Sequence, residues 1–208
     1  MKSVFDKYTK KYDKWYEKNK FAFLSELKAI RKVLPRKANM ESLEIGVGTG
    51  RFASTLGITK GIDPSYSMLK VAQKRGVDAY FGTGENIPFK DKTFDCAIIV
   101  ITLCFVKNPK KVLKETARIL KKNGRIVIGI VDKKSFLGKF YQKKKSVFYK
   151  KARFYSVKKV TQLLKKTGFS KFSFYQTLFI FPDKMKSQEQ PKRGYGKGGF
   201  VVIAATKK

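Results

Sequence analysis

The stretch LEIGVGTGRFA, residues 43–53, decides the fold. The apolar run SLEIG (42–46) reads as a short strand, and a helix opens at Arg51. Between them Gly46, Gly48 and Gly50 alternate with other residues. Glycine carries no Cβ, so a turn built this way lets a ligand approach the main chain closely. A dinucleotide loop of the form GxGxxG needs glycine at its sixth position. Counted from Gly46 that position is Arg51, so the spacing here is GxGxG. Glu44, two residues before the first glycine, sets a carboxylate beside the bare backbone.

Working outward, strand and helix patterns alternate. Before the glycine turn, Val4, Phe5, Tyr8, Tyr12, Trp15 and Tyr16 recur at helical spacing over 3–18, giving a helix with an aromatic face. A second helix is predicted from about Phe21 to Leu34, stopped by Pro35. After the turn, GID (61–63) ends a second strand, PSYSMLKVAQKR begins a helix at Pro64, and VDAYFG and FDCAIIVI are the third and fourth strands. A helix from Pro109 to about Lys121 precedes the fifth strand, RIVIGIVD. SVKKVTQLLKKTGF is a helix capped by Ser156 and ended by Gly168. KFSFYQTLFIF and GGFVVIAAT close the pattern as two strands with no helix between them, expected to pair as a hairpin at one edge. The sum is an α/β fold: a mostly parallel sheet of seven strands, covered by helices on both faces, with an antiparallel last strand.

Composition narrows the function. The 208 residues suit one domain, with residues 1–37 as a helical cap and 133–155 as an aromatic-rich insertion. Lys and Arg number 48 against 15 Asp and Glu, a net charge of +33, which attracts phosphates and other anions but equally describes a solvated lysine-rich surface. There is no histidine, which excludes Ser-His-Asp triads and histidine metal ligands. Cys96 and Cys104 show no CxxC spacing, so no metal site is expected and the setting is cytoplasmic. The run CAIIVITLCFV (96–106) is too short to span a bilayer.

Two further segments join the glycine turn. Asp63, at the end of the second strand, is placed to accept both hydroxyls of a ribose, or alternatively to cap the next helix. GTGENIPFKDKTFD (82–95) is long for a plain connection. With these and RFYSVKKVTQLLKKTGF, the chain resembles, over roughly 40–206, the class I S-adenosylmethionine-dependent methyltransferases, in the small single-domain group that includes ubiquinone/menaquinone-type enzymes. The resemblance implies a Rossmann-like α/β/α sandwich and S-adenosylmethionine as cofactor, with S-adenosylhomocysteine as product. It further implies that Gly46, Gly48 and Gly50 turn against the methionine portion, Glu44 holds its amino group, and Asp63 takes the ribose. Met68 would pack near the adenine, Thr83, Gly84 and Glu85 would meet its edge, and the backbone at Val100 would face the methionine. Thr83 stands where many relatives carry Asp, so Glu85 is a candidate substitute.

The acceptor is expected outside the carboxyl ends of the strands. Tyr8, Tyr12 and Trp15 from the N-terminal helix, with Tyr141 and Tyr155 from the insertion, are candidates to line it; an aromatic stripe packed on the core is the alternative. No residue is assigned to catalysis. A base, if one is needed, would be Asp132, a tyrosine such as Tyr141 or Tyr155, or water, and Asp132 reads equally as a turn residue. The leading expectation is methyl transfer to a small molecule by in-line displacement. The alternatives are an RNA methyltransferase using its basic surface and KRGYGKGGF (192–200), or a non-catalytic nucleic-acid or partner binder on the same fold.

Overall fold

The computed structural model describes residues 4–35, 37–144 and 146–208. Residues 1–3, 36 and 145, which belong to the expected cap and insertion, lie outside the described residues. The strands are β1 (Ser42–Ile45), β2 (Lys60–Asp63), β3 (Asp78–Phe81), β4 (Phe94–Val100), β5 (Leu120–Val131), β6 (Phe169–Thr177), β7 (Lys192–Arg193) and β8 (Phe200–Lys207). The helices are α1 (Val4–Lys7), α2 (Thr9–Lys18), α3 (Lys20–Arg31), α4 (Arg51–Leu56), α5 (Tyr66–Lys74), α6 (Pro109–Ile119), α7 (Phe136–Lys143) and α8 (Val157–Lys166).

One sheet runs in the order β3-β2-β1-β4-β5-β8-β6-β7. The strands β1 to β5 pair in parallel, and β8 pairs antiparallel with both β5 and β6. The expected hairpin of the last two long strands forms toward one edge of the sheet, with β8 on its inner side against β5. The sheet has eight strands where seven were expected. The extra one is the two-residue β7, which takes Lys192 and Arg193 from the presumed loop and pairs them with Gln176 and Tyr175.

Side chains alternate across each strand, so β4 sends Ile98 and Val100 to one face and Ala97 and Ile99 to the other. The first face packs with Leu27 and Ile30 of α3, Phe52 of α4, Leu69 of α5 and Leu137 of α7. The second packs with Val112 of α6 and Val160 and Leu164 of α8. These are the three layers of an α/β/α sandwich. Helix starts follow local chemistry. Asn108 and Ser156 accept from the main-chain N–H of Lys111 and Lys159, and Gly168 (φ +90°) follows α8 in the left-handed region. The cap of α5 is Ser65, which accepts from Met68 N at 3.3 Å, and not Asp63. No helix among the described residues is long and apolar enough to cross a membrane.

The helix expected over 3–18 is broken at Tyr8 (φ −119°, ψ 26°) into α1 and α2. An ion cluster fixes α2 over the glycine turn. Asp13 accepts from Arg51 Nε and Nη2 at 2.7 and 2.8 Å, from Arg75 Nη1 and Nη2 at 3.1 and 2.7 Å, and from Thr49 Oγ1 at 2.7 Å. Arg75 also bonds the carbonyl of Thr49 at 2.6 Å. Burial works to raise the Asp13 pKa, but the hydrogen bonds from Arg51, Arg75 and Thr49 outweigh it and hold the carboxyl well below its ordinary value. The cluster therefore contributes fully above the ordinary carboxylate range and is lost only as pH falls well below it. Asp13→Ala, which leaves two guanidinium groups facing each other, is expected to cost on the order of 2 kcal/mol, less than the ~3–5 kcal/mol of a fully buried pair because Asp13 keeps 16% exposure. Denaturant midpoints check this, and limited proteolysis should cut the variant first within residues 4–20.

Candidate functional site

The sheet reverses its direction of growth between β1 and β4, and in such folds ligands lie outside the carboxyl ends of the strands there. The backbone at this point is tightly constrained. Gly46 N and Val47 N both donate to Ile62 O, at 2.8 and 2.9 Å, which joins the end of β1 to β2. Gly46 has φ +75°, and a Cβ there would stand 2.3 Å from Thr102 Cγ2. Only glycine meets both conditions. Thr102 Oγ1 donates to Val100 O at 3.0 Å, and Ile101 between them holds φ +51°. A β-branched residue in the left-handed region is strained, and that strain lies at the tip of β4, beside the glycine turn.

Two carboxyl groups face this turn. Glu44 on β1 has 2% exposure, and its Oε2 has no hydrogen-bond partner. Burial pushes its pKa well above the ordinary value, with a main-chain hydrogen bond from Ala53 acting against the rise. Asp63 Oδ2 accepts from Gly48 N at 3.0 Å and its Oδ1 from Ser65 N at 2.9 Å. It therefore ties the glycine turn to the start of α5, and each oxygen keeps a further lone pair. Burial raises its pKa to about 6, against the pull of the two N–H groups.

The remaining expected positions fall around this centre. Met68 is fully buried in the first turns of α5. Val100 ends β4 at 5% exposure. Thr83 forms an isolated bridge with Asn86, and a Cβ on Gly84 would stand 3.1 Å from Ile45 and Val112. Glu85 Oε1 accepts from Lys107 N and Asn108 N at 3.0 and 3.1 Å, so this carboxylate joins the loop after β3 to the approach to α6. Sequence reasoning passed over Tyr66 and Phe81, both mostly exposed, whose rings stack with centroids 4.7 Å apart at the ends of α5 and β3 nearest Asp63. The available signal was an aromatic in the helical turn after Asp63 and another at the last residue of the third strand.

Of the five aromatics expected to line the acceptor, Tyr12 comes nearest to the turn: its Cε1 stands 3.7 Å from the position of a Cβ on Gly48. Its hydroxyl meets that of Tyr16 at 3.0 Å, and burial raises its pKa. Tyr8 and Tyr12 both set ring edges against Phe148 of the insertion, and Phe5 bridges Phe148 and Phe105. Cap, insertion and the loop after β4 thus meet over the strand ends. Trp15 turns away, into a cavity of about 440 Å³ shared with Phe140, Tyr141 and Phe181. Tyr155 lines a separate, small cavity with Cys104, Tyr149 and Phe154. Tyr141 of the first stacks on Tyr149 of the second, ring centroids 4.7 Å apart. Asp132 Oδ1 accepts from Lys134 N and Val157 N, both at 3.3 Å, which is the turn role. Burial pushes the Cys104 thiol up to about 12.

Residues 43–128 match the model of a methyltransferase domain family. The crystal structure of a Thermotoga maritima S-adenosylmethionine-dependent methyltransferase, a possible histamine N-methyltransferase, superposes with a TM-score of 0.95 at 48% identity, covering 99% of this chain and 98% of that one. The chain belongs to the class I S-adenosylmethionine-dependent methyltransferases. An uncharacterized protein of Methanocaldococcus jannaschii is 47% identical over 207 residues, 99% of either chain. A demethylmenaquinone methyltransferase of T. maritima is 33% identical over 155 residues, 66% of either chain.

The methyltransferase's site suits S-adenosylmethionine, the cofactor of its family. The unpartnered Glu44 Oε2 is an acceptor for an ammonium group, the bare turn admits a close ligand, and Asp63 has lone pairs to spare. Asp63→Ala is expected to weaken S-adenosylhomocysteine binding about tenfold or more, since a hydrogen bond to a charged group is worth ~1.5–3 kcal/mol; calorimetric titration reads it directly. Because the Asp63 pKa is raised to about 6, its carboxylate is fully available above that pH and is lost as pH falls through it. Affinity should therefore drop roughly tenfold by about one pH unit below 6, and Asp63→Asn should remove that share of the dependence.

Proposed function

We propose that this methyltransferase methylates a small-molecule acceptor, enclosed between the sheet and an aromatic roof made by residues 4–35, 133–144 and 146–155. The observation that carries this reading is the Phe5–Phe105–Phe148–Tyr12 contact set, which closes cap, insertion and β4 loop over the strand ends. Strand ends covered over by side chains suit a compact substrate better than a polymer. Two similar proteins named for an acceptor, a demethylmenaquinone methyltransferase and a possible histamine N-methyltransferase, support the same size class.

In this reading Gly46, Gly48 and Gly50 flank the methionine portion, Glu44 receives its amino group and Asp63 the ribose hydroxyls. Met68, Thr83 and Gly84 border the adenine, with the backbone at Val100 beside the methionine. Glu85 supports its loop through the N–H groups of Lys107 and Asn108. When bound, S-adenosylmethionine supplies a methyl group on a cationic sulfur, open to in-line displacement. The chain's part is to position, to exclude water and to offset charge. Alignment of two reactants accounts for much of the rate in such a reaction, up to ~7–11 kcal/mol of barrier. On a protein of net charge +33, the carboxyls of Glu44 and Asp63 make the local field hospitable to a cation.

Methyl-labelled cofactor, incubated with the protein and either a metabolite extract or total RNA, tests the reading. Label is expected in low-mass products. Label confined to RNA, or none in either fraction from protein that binds the cofactor, would refute it.

A further inference from the structure

Glu26 enters none of the roles above. It lies in the middle of α3 with 1% exposure, and its Oε2 is shut off from solvent without a hydrogen-bond partner. None of the ion pairs among the described residues includes it. A buried polar atom left unsatisfied destabilises a fold, and an apolar residue of the same size would do better. Such an atom points to a ligand.

Its surroundings say which kind. Four phenols feel its charge: Tyr12 and Tyr16 of α2, Tyr141 of α7 and Tyr149 of the turn after it. Tyr12 also feels Glu44 and Asp63, so it stands between the cofactor carboxyls and Glu26. From Gly48 the contacts run through the Tyr12 ring to the Tyr16 hydroxyl, and Ala22, Ala29 and Ile30, which flank Glu26 on one stripe of α3, pack in the same buried cluster as Tyr16 and Tyr141. Tyr141 and Tyr149, stacked on each other, open onto the two cavities described above. A lone buried carboxyl on a helical stripe packed in one cluster with aromatic rings is a receptor for an organic cation, held by charge at one point and by ring faces near it.

We propose that Glu26 binds the methyl acceptor and that the acceptor is a small amine. This rests on the small-molecule methyltransferase reading and names its substrate class. An ammonium group entering beside Glu26 gives one proton to the carboxylate: the N–H bond breaks, an O–H bond forms on Glu26, and nitrogen keeps the electron pair. The neutral amine then carries the lone pair that takes the methyl group. Burial alone raises the Glu26 pKa to about 8, close to the working range of a proton acceptor at neutral pH.

Three probes of matched size test this on protein saturated with S-adenosylhomocysteine: phenethylamine, phenethyl alcohol and phenylacetate. Phenethylamine is expected to bind at least tenfold more tightly than the other two. Calorimetry near pH 7, in two buffers of different ionisation heat, should show release of about one proton, because the protonated carboxyl must ionise to pair with an ammonium group. Glu26→Gln should still bind S-adenosylhomocysteine but lose the amine preference and the proton release. Equal binding of the alcohol, amine binding unchanged in Glu26→Gln, or no binding of any probe to the wild type overturns the proposal. Should the variant fail to fold, the wild-type ranking and proton count decide alone. Failure of wild type to bind S-adenosylhomocysteine would instead sink the methyltransferase reading itself.

Discussion

Holding carboxyl groups away from water is the constraint around which the ligand face of this sheet is arranged. A carboxylate moved from water into a protein interior loses solvation worth several kcal/mol unless donors replace the water. Asp63 meets that requirement with two main-chain N–H groups, and in doing so it sets the spacing between the glycine turn and α5. Asp13 meets it with two arginines and a threonine, which holds α2 in place. Glu44 and Glu26 each leave one oxygen unmet. The first pair of acids ties elements of the ligand face together, and each of the second pair keeps a buried acceptor without a donor.

The features visible in the sequence are those with local causes. The GxGxG spacing, the Asp after the second strand and the helix caps at Asn108 and Ser156 each act within a few residues, so residue type and spacing reveal them. The parallel order of the first strands follows from strand–helix alternation for the same reason. Features made by distant partners stayed hidden. Nothing near Asp13 announces Arg51 or Arg75, which lie 38 and 62 positions away. Lys192 and Arg193 look like loop residues until β6 pairs with them. Nothing near Glu85 announces Lys107 and Asn108, whose main-chain N–H groups donate to it from 22 and 23 positions away.

Glu26 was legible and passed over. Ala22, Ala29 and Ile30, four before and three and four after it, are fully buried, so an acid sits on an apolar helical stripe. The long aromatic face of α2 drew attention instead, of which Tyr12 comes to 3.7 Å from a Cβ position on Gly48. A charge where the period demands an apolar residue is rarer than an aromatic stripe, and correspondingly more informative.

The place of β8 has a bearing on biogenesis. This strand follows all the other elements in the chain, yet it separates β5 from β6 at the heart of the sheet. While the polypeptide emerges from the ribosome, the Val127–Ile130 edge of β5 has no neighbour on that side until residues 200–207 arrive. An unprotected apolar edge is a template for mispairing between nascent chains. The lysine-dense surface, with its mutual repulsion between copies, is one physical means of keeping those chains apart during the wait.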